Sequence, residues 1–367
     1  MTTPHSTTTD DDARRIGRWL AAWAAMLFVL VLLGGGTRLT ESGLSITEWK
    51  PVTGVIPPLT DAAWQVEFGK YQRIPQYAKL NAGMSLGDFK GIYWWEFLHR
   101  LWARLVGLVF VAPLAWLTIR RRLPRVLLPR LAALGVLMGL QGAMGWYMVA
   151  SGLTARVTVS QYRLAAHLSL ALVIYVATVW MADGLLTRGT AGMSADVPTS
   201  DVDGDARVHA GRGTGPANSV RRWIAALLAL AFVTVVSGAF VAGLRAGKIY
   251  NEFPMMGAGL VPAEYASLSP WWKNLFENPA AAQFNHRLLA TLLFLAVLAI
   301  WVRSRGAAGA TLQARMNLVF VAAGVQVALG ITVLLLAVPV AIGVAHQAGA
   351  LLLLTALTLA LSAERRR

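Results

Sequence analysis

Eight stretches of about 20 mostly apolar residues run through this chain, each long enough to cross the hydrocarbon of a bilayer as a helix. They lie near 18–37, 96–119, 127–149, 161–184, 222–243, 284–303, 315–337 and 340–362, the last two parted only around Pro339. In lipid every backbone polar group must be bonded within the protein, so such segments fold as helices and not as open strands. The fold class is therefore all-α and membrane-spanning. Of the 367 residues 56% are hydrophobic and 14% charged, which also excludes an ordinary soluble domain. The first run, from Trp19 to Gly36, is too long for a signal-peptide core and lacks a small-residue cleavage site, so it reads as a membrane anchor.

Arginines mark one side of these spans. Arg14, Arg15 and Arg18 precede the first, Arg120, Arg121, Arg122 and Arg125 follow the second, and Arg221 and Arg222 precede the fifth. Arg303, Arg305 and Arg315 flank the connection from sixth to seventh, and the chain ends in Arg365, Arg366 and Arg367. The positive-inside rule then makes both termini cytoplasmic, and in a bacterium the membrane is the inner one. The connections 38–95 and 244–283 face outward and carry Trp49, Trp64, Trp94, Trp95, Trp271 and Trp272, as segments seated at the interface do. The net charge of +15 is accounted for by these clusters beside apolar runs, so no nucleic-acid partner is inferred; the partner surface is the bilayer. With no cysteine in the chain, disulfides, thiolate metal sites, iron–sulfur clusters and cysteine nucleophiles are excluded.

Residues 187–220 are rich in Gly, Ser, Thr, Asp and Ala and have too few large apolar side chains to build a core. They read as a cytoplasmic linker between a four-helix half at 1–186 and another at 221–367. The halves resemble each other. Glu96-Phe97-Leu98-His99-Arg100-Leu101 matches Gln283-Phe284-Asn285-His286-Arg287-Leu288. Leu140, Gln141 and Gly145 match Val325, Gln326 and Gly330, and His167 matches His346. Glu48-Trp49-Lys50-Pro51 with Gly54 resembles Glu252-Phe253-Pro254 with Gly257. Four spans separate corresponding points, so the expectation is two tandem, parallel-repeat four-helix bundles.

Four of the six histidines, His99, His167, His286 and His346, lie inside spans, near the outer ends. An ionisable residue in a membrane helix is costly and needs a reason. A single one is as readily a structural hydrogen bond as a functional group; two matched pairs at similar depth favour ligation. Two neutral imidazoles on facing helices suit the axial positions of a haem iron. Zinc is disfavoured, because no third and fourth protein ligand repeats in both halves. Arg100 and Arg287, next to two of these histidines, can pair with haem propionates or snorkel to the head groups. Arg104, a turn deeper, calls for a buried anionic partner. The repeat breaks at one telling place, where Glu96 faces Gln283. Glu96 either pairs with Arg100 at i, i+4 or serves as a proton acceptor beside a reacting haem.

At these residues the chain resembles the haem A synthase family. The resemblance covers nearly the whole chain, and its strongest pieces are Gly35-Gly36-Thr37-Arg38-Leu39-Thr40-Glu41-Ser42-Gly43-Leu44-Ser45 through Trp49, Pro51 and Gly54 to Pro57-Pro58, then Glu96 to Arg100, then the later histidines. It implies that His99 and His167, with Arg100, hold substrate haem O, that Glu96 assists its oxidation, and that His286 and His346, with Arg287, hold a haem b kept as cofactor. It implies oxidation of the porphyrin C8 methyl group by successive hydroxylation to a gem-diol, which loses water to give the formyl group of haem A. Haem O synthase (protohaem farnesyltransferase) and cytochrome oxidase assembly factors are the partners it implies. Some bacterial members carry a cysteine pair in the outer loops; its absence here favours the proteobacterial and mitochondrial-like branch. Two rivals from other classes are a di-haem b-type electron-transfer subunit, against which the single level of the histidines counts, and a repeat-built transporter, against which the lack of a broken midplane helix counts.

Overall fold

The computed structural model describes residues 5–155, 159–188, 216–305 and 309–363. Among the described residues ten α-helices carry the fold: α1 (His5–Leu39), α2 (Asp61–Tyr71), α3 (Pro75–Leu80), α4 (Leu86–Ile119), α5 (Leu128–Ala155), α6 (Gln161–Arg188), α7 (Pro216–Gly243), α8 (Pro279–Ser304), α9 (Ala310–Leu335) and α10 (Val340–Ala363). All except the short α2 and α3 are long and apolar enough to span a membrane. The eight expected spans are therefore all present. Among the described residues the only β pairing is an isolated bridge between Met256 and Gly259.

The packing has a centre and a rim. α6 and α10 touch each other and both touch α1 and α7, while α4 packs on α1, α5 on α6, α8 on α7 and α9 on α10. Burial follows that division: 33%, 39%, 28% and 33% of the apolar windows of α1, α6, α7 and α10 are buried, against 11%, 11%, 17% and 11% for α4, α5, α8 and α9. Rim helices thus offer most of their surface to lipid. The seam between α1 and α4 is fixed by three indoles that donate to backbone carbonyls across it: Trp19 to Val109 (2.9 Å), Trp23 to Val106 (3.0 Å) and Trp102 to Met26 (2.9 Å). Each such bond is worth about 1 kcal/mol net, and their spacing along both helices leaves only one register. Trp23 is fully buried with its ring 4.5 Å from that of Phe110.

The boundaries show where composition misleads. α4 begins at Leu86, ten residues before the apolar run, because Ser85 and Asp88 form a capping box there. Its extra turns join α2 and α3 in a second core of Trp64, Phe68, Tyr71, Phe89, Tyr93 and Phe97 outside the main bundle. The connection 38–95 is accordingly a small folded unit, and not merely an interface-seated loop. α6 runs to Arg188 and α7 starts at Pro216, so both helices extend into the expected 187–220 linker; its remainder, 189–215, lies outside the described residues, as do His209 and the three final arginines. Between α9 and α10 the chain turns through Ala337 (φ 55°) and Val338 (φ 65°), whose N–H groups reach back to Leu334 and Val333, and Pro339 stops the helix from continuing.

The C-terminal ends of α1 and α7 are tied to each other. Arg38, in the last turn of α1, donates to the carbonyls of Ala242 (2.6 Å) and Gly243 (3.2 Å) in the last turn of α7, the first of which also accepts the Arg245 N–H at 3.3 Å. Arg245, just past α7, pairs with Glu41, just past α1, at 2.7 Å.

Candidate functional site

Each intramembrane histidine lies against a glycine of the neighbouring helix. A Cβ on Gly34 of α1 would stand 2.9 Å from Cε1 of His99 on α4, and one on Gly145 of α5 3.3 Å from Cε1 of His167 on α6. In the later helices, a Cβ on Gly238 of α7 would stand 3.1 Å from Cε1 of His286 on α8, and one on Gly330 of α9 3.0 Å from Cε1 of His346 on α10. A glycine lets the two backbones close up, and the imidazole takes the room a side chain would fill. The neighbours Gly35 and Gly36 serve the same end, lying against Gln347 and Trp95. His167, His286 and His346 come six, seven and six residues after the starts of their helices, about 10 Å along the axis. The site is thus a layer near one face.

The rings of His286 and His346 are 6.5 Å apart between centroids and nearly perpendicular, at 85°. Two ring nitrogens each about 2 Å from one metal ion place the ring centres at about that separation. Nδ1 of His99 and of His167 is buried and, among the described residues, unbonded, and an orphaned buried nitrogen asks for a ligand or a bound group. Among the described residues no three His, Asp or Glu side chains converge. Pairs of imidazoles therefore fit a group that brings its own equatorial donors, as a porphyrin does, better than a bare ion. These residues fit haem.

Above this layer two arginines make nearly the same bonds. Arg100 donates to the carbonyls of Ile46 (2.9 Å) and Glu48 (3.1 Å); Arg287 donates to those of Tyr250 (2.9 Å) and Glu252 (3.1 Å), with Met255 as a third acceptor at 3.2 Å. Each guanidinium pins the outer segment that follows the preceding span. Arg104 differs from expectation, having loop carbonyls for partners and, among the described residues, no buried anion: Pro51 at 2.9 Å and Lys50 at 2.8 Å. Nearby Glu48 receives the Lys50 and Lys70 ammonium groups, and those hydrogen bonds, Lys50 first, hold its carboxyl below the usual carboxylate range.

Glu96 and Gln283 sit at matching places with opposite bonding. Glu96, 3% exposed, takes Ser45 Oγ at 2.7 Å and the Ile46 N–H at 2.8 Å on Oε2, and Arg100 at 2.5 Å on Oε1. Gln283, equally buried, donates to the Tyr250 carbonyl at 3.0 Å, and its Oε1 has no partner among the described residues. The expected Glu96–Arg100 pair is formed, and three donors make it part of a buried network. Three neighbours carry no flag in the sequence: Gly34, Gly238 and Ser237, whose Oγ is 2.8 Å from Nδ1 of His286. Gly145 and Gly330, with Gln141 and Gln326, noted only as repeated, stand beside His167 and His346, and Ser45, noted only within a motif, bonds Glu96. The run Gly34-Gly35-Gly36 inside an apolar span was the available signal of close helix approach.

An eight-span membrane bundle with paired histidines set over glycines near one face defines a class of integral membrane proteins suited to holding planar metal cofactors. The chain belongs to the COX15-CtaA family, described as "Cytochrome oxidase assembly protein", whose model matches residues 17–358. Among similar proteins is one named "Heme A synthase" from Parvibaculum lavamentivorans, 46% identical over 94% of this chain and 92% of its own length. Others of the same name are from Rhodospirillum centenum, 48% identical over 93% and 86%, and Nitrosomonas eutropha, 44% identical over 93% and 91%.

Proposed function

We propose that this chain is a haem A synthase, an oxidoreductase that converts the C8 methyl group of haem O to a formyl group by successive hydroxylation, for cytochrome c oxidase biogenesis. The observation that carries the reading is the combination of two histidine pairs over glycines with one-sided placement of Glu96, in a chain 46% and 48% identical to proteins of that name. His99 and His167 hold the substrate haem in the half at 1–186; His286 and His346 hold a retained haem b in the half at 221–367, with 187–220 as a cytoplasmic linker. The matching bonds of Arg100 and Arg287 favour a parallel duplication of one four-helix unit. The arginine clusters put both termini on the cytoplasmic side of the inner membrane and the haem layer near the opposite face. Haem O synthase, as the source of substrate, and oxidase assembly factors are the expected partners.

When bound, the retained haem supplies one-electron redox chemistry. The chain's own work is positional. The glycine-backed imidazoles of His99, His167, His286 and His346 would hold the haem irons. Arg100 and Arg287, gripping the segments that follow the preceding spans, would present positive charge to haem propionates. Glu96 stands three residues before His99 on the same helix face and receives the proton released as the substituent is oxidised. Gln283, an amide, cannot take that part. The reacting site is thereby assigned to the first half.

Extraction and chromatographic identification of haems from the purified protein, made with a source of haem O, tests the reading. Haem A together with haem b is expected. Haem b alone under every condition would leave the di-haem electron-transfer subunit as the better description.

A further inference from the structure

The four histidines differ in what stands behind the ring. Ser237 Oγ, 2.8 Å from Nδ1 of His286, donates its own proton to the Thr234 carbonyl at 2.7 Å. The hydroxyl thus turns a lone pair to the imidazole, so Nδ1 carries the ring proton and Nε2 keeps its lone pair for a metal. The amides of Gln141 and Gln326 stand 3.3 Å from Nε2 of His167 and 3.2 Å from Nδ1 of His346. His99 has no equivalent. Its Nδ1 is buried and, among the described residues, unbonded. Ser237 directly precedes the glycine under His286; the residue that directly precedes the glycine under His99 is Leu33, which has nothing to offer a ring nitrogen.

A hydrogen bond to the far nitrogen of a ligating imidazole fixes its tautomer and orientation and makes it a stronger donor; losing it typically costs about 10- to 100-fold in metal affinity. The proposed function requires two very similar planar molecules to be treated differently, one kept and one released. Two pairs of histidine ligands cannot make that distinction by ligand type.

We propose that Ser237 is a positioning residue that makes the His286/His346 site retentive, and that Leu33, by withholding the same bond from His99, makes the His99/His167 site exchangeable. This rests on the reading of the histidines as haem ligands. A stronger imidazole donor also stabilises ferric iron, so the retained haem has the lower midpoint potential.

The test uses the full chain in detergent with its bound haems, following transfer to excess apomyoglobin by absorbance and measuring midpoint potentials by spectroelectrochemistry. A slow and a fast phase are expected. Ser237→Ala should accelerate the slow phase about 10- to 100-fold and raise the potential of that haem, while Ser237→Thr, keeping the hydroxyl, should restore both. Leu33→Ser should slow the fast phase. An unchanged slow phase and potential in Ser237→Ala overturns the proposal. Should Ser237→Ala fail to fold, judged by its elution on gel filtration, Leu33→Ser decides, and an unaltered fast phase overturns it. His286→Ala separates the two layers of inference. If it retains the slow haem in full, the ligation reading itself falls; if it loses that haem while Ser237→Ala changes nothing, only the role of Ser237 falls.

Discussion

Replacing Gly34 by alanine adds one methyl group at the place where α1 and His99 meet, and the structure sets the size of the disturbance. The new Cβ would lie 2.9 Å from Cε1 of His99, where ordinary contact begins at 3.4 Å, so the ring must retreat by about 0.5 Å. Cε1 sits between the two ring nitrogens, so whatever moves it moves the ligating atom too. A binding constellation tolerates about 0.5 Å before it loses its purpose, and overpacking of this kind costs about 1–3 kcal/mol. Charged to haem binding, that is about 5- to 150-fold in affinity. Alanine also gains about 1 kcal/mol over glycine in helix propensity, so overall stability should hardly change while haem is lost. The other three sites grade the effect: Gly330→Ala (3.0 Å) and Gly238→Ala (3.1 Å) should weaken haem retention less, and Gly145→Ala (3.3 Å) least. Haem per protein in the purified variants, by the pyridine haemochromogen spectrum, beside thermal unfolding in detergent, measures both quantities. Wild-type haem content in Gly34→Ala, or loss as great in Gly145→Ala, would refute the view that these glycines set imidazole position.

Four further outcomes are expected. Glu96→Gln should keep the bundle folded and the haem bound but accumulate haem O or an alcohol intermediate, read by chromatography of extracted haems; unchanged haem A output removes Glu96 from the chemistry. Glu96→Ala should destabilise by about 3 kcal/mol, the lower end for breaking a buried pair, because Arg100 keeps two carbonyl acceptors; a thermal midpoint equal to wild type would contradict this. Ala337→Gly should stabilise by about 1 kcal/mol by relieving a left-handed non-glycine residue, again measured by thermal unfolding. The lowered pKa of Glu48 contributes stability that is present above its unfolded value of 4.5 and lost as pH falls through the depressed folded value. Solvent screening keeps that contribution below about 1 kcal/mol, so Glu48→Gln should flatten the acid limb of the stability profile only slightly, and a steeper limb would reverse the sign of the argument.

Much of the architecture was legible because lipid imposes a single rule on the backbone, and a 20-residue apolar run answers it wherever it occurs. Helix ends obeyed other forces. α4 starts at Leu86 because Ser85 caps it and Phe89 and Tyr93 pack on Trp64, a soluble-type core that hydropathy does not register. The histidines and Glu96 stood out as costly residues within spans. Their partners did not: a glycine leaves no side chain in the pattern, and a hydroxyl such as Ser237 is unremarkable in a membrane helix until a ring nitrogen is found 2.8 Å away. Arg104 misled for the opposite reason, since a loop carbonyl satisfies a guanidinium as an anion does and leaves no charge in the sequence to find.

The exchange of partners between Arg38 and the end of α7, and between Arg245 and Glu41, has a consequence for how the molecule is made. Each group of four helices completes an end of the other: the last carbonyls of α7 gain a charged donor from a residue translated some two hundred positions earlier. A chain severed between Arg188 and Pro216 should still assemble when both pieces are produced together, whereas either piece made alone should be cleared by membrane proteases. The two groups can differ in chemistry, but neither can part from the other, because each carries the other's stopper.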